Sequence, residues 1–157
     1  MLSRRNAIRA LAALIALSAL AREERSQANV DELVVIVNAG NPHAHLSATE
    51  LRPIFLTTKR SWEFGPGIEP VNLPERSDQR RSFDKVVLSF DADEAQKYWI
   101  DRRVRGDARP PRKLTSASAV VAHVAATPGG IGYVPRSAVE RGVKVVARIV
   151  NGELRAP

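Results

Sequence analysis

Residues 33–37 read Leu-Val-Val-Ile-Val, an apolar run of strand length in which four of five residues are β-branched and no polar residue alternates. A strand of that pattern has no face to give to water, so it belongs in the middle of a sheet covered on both sides. The rest of the chain has to supply the covering layers.

The local signals do so in order. Asn38-Ala39-Gly40-Asn41-Pro42 breaks the run, and Ser47-Ala48-Thr49-Glu50 is a capping box with Leu46 and Leu51 at its staple positions. It predicts a helix of two or three turns, kinked where Pro53 deletes a hydrogen bond. Gly65-Pro66-Gly67 turns the chain into a short strand over residues 68–73, which Pro74 stops. Ser77 then caps a helix whose buried stripe is Phe83, Val86, Val87 and Phe90. Asp91 and Glu94 repeat the capping pattern ahead of Ala95, Tyr98 and Trp99, the latter two read as core. Pro110-Pro111 separates that helix from one capped by Ser116, with Ala117, Val120, Val121, Val124 and Ala125 as its apolar residues. Thr127-Pro128-Gly129-Gly130 is a tight turn into a strand at residues 131–134. A helical turn closed by Gly142, a strand over residues 143–150 and an Asn151-Gly152 turn complete the chain. Alternating strands and helices predict an α/β three-layer sandwich with a mostly parallel central sheet, one domain without internal repeats.

The N-terminus is set apart. Arg4, Arg5 and Arg9 precede residues 10–21, in which every residue but Ser18 is Ala, Leu or Ile. A spanning helix needs about 20 apolar residues, so this reads as a cleavable secretory signal rather than an anchor. Ala19-Leu20-Ala21 and Ser26-Gln27-Ala28 both suit a signal peptidase, and the Arg pair leaves twin-arginine export open beside the general route. The expected organisation is a signal peptide over residues 1–28, its cleavage site open, and a domain over residues 29–157 with no stable membrane span after cleavage. Loss of five Arg and two Glu with the leader lowers the net charge from +7 to +4.

Residues 101–113 alone carry six basic and two acidic side chains. Such a basic excess ordinarily raises nucleic acid as a partner, but export argues against it and no aromatic residues interleave the segment for base stacking. Arg102, Arg103, Arg105 and Arg109 are therefore candidates for binding a protein partner or a membrane from a loop. With no Cys there is no disulfide framework, Cys-ligated metal, thiol nucleophile or lipid-carrying N-terminal Cys. His43 and His45 stand without further ligands at metal spacing, and His123 reads as a surface histidine. Asp91, Asp93 and Glu94 cluster where a helix start favours negative charge. No nucleophile, base and orienter assemble, so neither an enzyme nor a metal or cofactor is expected. The most suggestive local site is the helix start after Pro74, where the N–H groups of residues 78–80, the Ser77 hydroxyl and Arg80 or Arg81 favour an anion.

Taken in order, several segments resemble one lobe of the periplasmic phosphate-binding protein of the phosphate ABC importer, in the type 2 periplasmic-binding superfamily. Val35-Ile36-Val37-Asn38 with Asn41-Pro42 is similar to the family's opening strand and loop. Residues 46–62 (LSATELRPIFLTTKRSW) are similar to its L-s-x-x-E-L-x-x-I-F-x-G-x-x-x-x-W segment, and residues 128–134 (PGGIGYV) to its P-G-A-I-G-Y-V strand entry. Gly106 with Pro110-Pro111 is similar to a Gly…Pro-Pro element of short relatives. The family cradles its oxyanion with R-x-x-x-S-G-T-R-x-x-F, where this chain has Ser77, Arg80 and Phe83 in place but Leu73, Asp78 and Gln79 for the upstream Arg, the Gly and the Thr. A carboxylate about 4 Å from a bound anion repels it by roughly 4 kcal/mol at an effective dielectric near 20.

The resemblance implies an exported, periplasmic, non-catalytic solute-binding protein holding phosphate or a similar small oxyanion weakly through Asn38, Ser77, Asp78, Gln79 and Arg80. Its implied partner is an inner-membrane transporter or sensor. It covers one lobe, whereas these receptors close two lobes over the ligand. The alternative is an envelope protein-interaction module with a vestigial cleft, docking through the loop of Arg102, Arg103, Arg105 and Arg109.

Overall fold

The computed structural model describes residues 32–107 and 109–157, so the signal-peptide expectation for residues 1–28 lies outside the described residues. Strand β1 (Leu33–Asn38) is buried from end to end apart from Asn38, as its unbroken apolar run requires. It lies in the interior of a six-stranded sheet of order β3-β2-β4-β1-β5-β6, formed with β2 (Glu69–Asn72), β3 (Arg112–Lys113), β4 (Gly130–Pro135), β5 (Val143–Val150) and β6 (Glu153–Arg155). Strands β2 to β5 all point one way. Strand β1 runs against both of its neighbours, inserted between β4 and β5, and β6 is an antiparallel edge joined through Asn151 (φ 52°) and Gly152 (φ 75°). Alternation of strands and helices reveals the parallel set; the direction of β1 is set by pairings with residues about a hundred positions away.

Among the described residues four helices start at the places their caps mark. In α1 (Ala48–Phe55) both halves of the capping box form, the Glu50 carboxylate accepting from the Ser47 N–H at 2.8 Å. The Ser47 hydroxyl and N–H hold the Glu50 carboxyl below the usual carboxylate range. Pro53 lies in the second turn of α1, and Thr57 (φ 58°) ends the segment. Helix α2 (Asp78–Phe83) starts on Ser77 and runs on into a π turn (Asp84–Leu88) that Ser89 closes at φ 54°. The wider turn changes the stripe expected from a regular helix: Asp84 and Leu88 join Phe83 and Val87 inside, while Val86 and Phe90 are only partly buried. Helix α3 (Ala92–Val104) has the Asp91–Glu94 capping box, and α4 (Ala117–Ala126) is capped by Ser116. Of the aromatic pair on α3, Trp99 is buried and Tyr98 half-buried. The two-residue β3 after Pro110-Pro111, unmarked by any periodicity, pairs with β2.

Side chains alternate across a strand, so neighbours on β4 report both faces of the sheet. A Cβ at Gly132 would fall 2.6 Å from Val120 and 3.6 Å from Val124, which places α4 on that face. Tyr133 points the other way and stacks on Phe83 of α2 at 3.9 Å with Phe55 of α1 at 5.8 Å. Helix, sheet and helices form the three layers, and the Phe55–Phe83–Tyr133 cluster ties α1 and α2 to the same side as the end of β2.

Candidate functional site

The segment Leu73-Pro74-Glu75-Arg76 carries the chain from β2 to the start of α2. Ser77 takes extended backbone there (φ −74°, ψ 145°), which turns its side chain back over the first helical turn. Its hydroxyl accepts the Arg80 N–H at 3.2 Å and donates to the Pro74 carbonyl at 2.7 Å, so both roles of the oxygen are occupied. A helix start leaves its first N–H groups without intrahelical partners. Ser77 satisfies that of Arg80, and those of Asp78 and Gln79 have no hydrogen-bond partner among the described residues. Ser77→Ala is expected to cost about 1 kcal/mol of stability, read from the midpoint and slope of urea unfolding, because the Arg80 N–H loses its cap.

The charges around this start are paired with one another. Asp78, its side chain 90% exposed, is bridged by the Arg81 guanidinium, which also donates to the Arg76 carbonyl at 2.9 Å. Arg80 is 6% exposed and its Nε donates to Oδ2 of Asp84, 7% exposed, at 2.7 Å. Beneath the pair, the Tyr133 hydroxyl donates to Oδ1 of buried Asn72 at 3.2 Å and accepts the Leu73 N–H at 3.3 Å, bracing the end of β2. Burial pushes the Tyr133 phenol up, with the Arg80 charge opposing. Burial also raises the Asp84 carboxyl above its usual range against the pull of Arg80, and its Oδ1 has no hydrogen-bond partner among the described residues.

Ser77, Asp78, Gln79 and Arg80 therefore come together, while Arg80 lies inward on Asp84 rather than outward as an anion clamp. Asn38 does not join them. Its Nδ2 donates to the carbonyls of Val124 and Ala125 at 3.0 and 2.9 Å, and its Oδ1 accepts the Gly40 N–H, so its amide caps the C-terminus of α4. Val37 pairs with Ile131, and Ile131 with Pro70 at the beginning of β2, whereas Ser77 follows the end of β2. Asn38 and Ser77 thus sit at opposite ends of the sheet. Among the basic candidates, Arg102 is half-buried with its guanidinium 5.8 Å from the Tyr98 ring centroid. Arg103, Arg105 and Arg109 are exposed, and Arg105 meets Asp101 at 3.0 Å.

Asn72, Asp84 and Tyr133 are the members that motif reasoning misses. A signal for Asp84 exists: Arg80, Phe83, Asp84 and Val87 follow i, i+3, i+4, i+7, which puts an Arg–Asp pair on the buried stripe. No local pattern marks Asn72, and the PGGIGYV segment that holds Tyr133 gives no sign that its hydroxyl meets a residue 61 positions away.

No family model and no curated protein matches the chain. Solved structures do match it in fold. An ABC-type phosphate transport receptor from Vibrio cholerae superposes with a TM-score of 0.55 at 20% identity, over 73% of this chain and 44% of the receptor. A putative phosphate ABC transporter substrate-binding protein with bound phosphate, from Clostridium perfringens, gives 0.58 at 21% identity, over 78% and 50% of the two chains. PstS from Borrelia burgdorferi gives 0.55 at 17% identity, over 78% and 52%. The chain has the fold of these proteins over one part of them and spans about half of their length.

Proposed function

We propose that this chain, which shares its fold with about half of each of those receptors, is an exported, non-catalytic solute-binding protein that holds phosphate or a similar small oxyanion at the start of α2. The observation that carries the reading is the pair of N–H groups on Asp78 and Gln79 without a partner among the described residues, at a helix start that follows a strand, in a fold shared with a receptor that has phosphate bound. Engagement of the Ser77 hydroxyl by Pro74 and Arg80 argues against a nucleophilic role and leaves the anion to the backbone N–H groups. The arginine-led apolar segment over residues 10–21 supports export to the periplasm ahead of a mature domain at residues 29–157, with an inner-membrane transporter as the partner.

Binding at this place is weak for two reasons. Asp84 and Asp78 neutralise Arg80 and Arg81, and an anion at this exposed helix start stays in contact with water, where charge interactions are small. Calorimetric titration with phosphate, then sulfate, at low and moderate salt is expected to give saturable phosphate binding near a Kd of about 1 mM, or about −4 kcal/mol. Gln79→Glu sets a second carboxylate at the open N–H groups without disturbing the core, and is expected to weaken binding by at least about tenfold, or 1.4 kcal/mol. Absence of heat at saturating phosphate, or indifference to Gln79→Glu, refutes the site.

A further inference from the structure

We infer that the C-terminal half of α3 and the loop after it form a docking surface for an anionic lipid bilayer. Helix α3 buries only Ala95 and Trp99. Residues three and four apart share a helix face, so Asp93, Lys97, Ile100, Asp101 and Val104 lie opposite the buried one, with Arg103 at its edge. That face is open to solvent: Ile100 is 51% and Val104 81% exposed, and they are two of the three large apolar residues so exposed among the described residues. Lys97 and Arg103 flank them, and the exposed Arg105, Arg109, Arg112 and Lys113 follow within nine residues of Val104.

Charge is segregated along the helix. Asp91, Asp93 and Glu94 stand at its start, whereas residues 101–113 carry a net +4, so only the C-terminal end suits a negative surface. The kind of side chain exposed argues for a bilayer over an acidic protein. Ile100 and Val104 are exposed aliphatic residues set among cations, and a protein partner needs complementary packing around such anchors, whereas an interface of headgroups and acyl chains accepts isolated aliphatic side chains among flexible cations. Each Lys or Arg near an anionic leaflet strengthens binding by about 1 kcal/mol, or roughly fivefold.

The test is flotation of the full chain with vesicles of phosphatidylcholine alone and of phosphatidylcholine with phosphatidylglycerol. Binding to the anionic vesicles that falls at high salt is expected. The Arg103→Ser, Arg105→Ser, Arg109→Ser variant is expected to bind about 100-fold less tightly, and Ile100→Ser, Val104→Ser about tenfold less tightly, with unchanged circular dichroism. Equal binding to both vesicle types overturns the inference. So does equal binding by variants and parent, the result of contact through the apolar residues 10–21 alone. Binding to soluble poly-glutamate as tight as to vesicles, and indifferent to Ile100 and Val104, assigns the surface to an acidic protein and equally overturns it.

Discussion

Gly129→Ala is expected to unfold the chain or to cost at least about 3 kcal/mol, a large part of the roughly 5–15 kcal/mol that holds a domain of this size together. A Cβ at Gly129 would coincide with the carbonyl of Gly67 and lie 3.7 Å from the Ile68 Cα. The obstacle is backbone, and it is held from several sides. The Ile68 N–H donates to the Arg60 carbonyl at 2.9 Å, the Glu69 N–H to the Gly129 carbonyl at 2.9 Å, and the buried Trp62 indole to that same carbonyl at 3.3 Å. Neither strand entry can shift without breaking the junction of β2 with β4. The opposing glycine is the control: at Gly67 the nearest atom to an added methyl is 3.8 Å away, so Gly67→Ala is expected to stay within about 1 kcal/mol of the parent. Urea midpoints and far-ultraviolet circular dichroism of the two variants decide it, and a Gly129→Ala chain with the parent's midpoint rules the account out.

Arg80→Ala is expected to cost about 3–5 kcal/mol, because it leaves the Asp84 carboxylate buried without its counter-charge. The pair itself is worth far less than its rupture. Replacing both partners together, as Arg80→Met with Asp84→Leu, removes the desolvation of two charges and is expected to restore stability to within about 1–2 kcal/mol of the parent. A double-mutant cycle exposes the difference, the double variant costing far less than the sum of the two single ones.

The pH dependence has a definite sign. The folded-state pKa of Asp84 is raised by burial, so the folded chain binds its proton more tightly than the unfolded chain does. Its contribution is most favourable below the unfolded carboxylate value and is lost as pH rises through the raised folded value. In Arg80→Ala the opposing attraction is gone and the window widens upward, so the deficit should shrink on acidification into the ordinary carboxylate range. An Arg80→Ala deficit equal at neutral and acid pH would show that Asp84 is not the source of the cost. The same pair bears on anion binding, since the positive charge of Arg80 at the helix start is already neutralised from inside by Asp84.

Features governed by near neighbours were legible before the fold was known. The burial of β1 follows from five consecutive apolar residues. The starts of α1, α2, α3 and α4 follow from Ser47, Ser77, Asp91 and Ser116, each of which satisfies N–H groups within three residues of itself. The Asn151-Gly152 turn follows from the two residues that accept positive φ. Asn38 shows where such reading stops. The resemblance placed it among the expected oxyanion ligands, yet its amide is claimed by carbonyls 86 and 87 residues away. Gly129 likewise read as a turn glycine, while its actual constraint is the approach of a second backbone from residue 67.

The order of elements, their caps and the two-sided burial of β1 are local free-energy balances, each settled by residues within a few positions or one helical period, and the amino-acid order alone carries them. The insertion of β1 between β4 and β5, the π turn that brings Asp84 and Leu88 inside, and the cancelling of Arg80 by Asp84 above Tyr133 belong to packing. They depend on which charges lose their water and which backbones touch, and those are properties of neighbours that only the folded chain brings together.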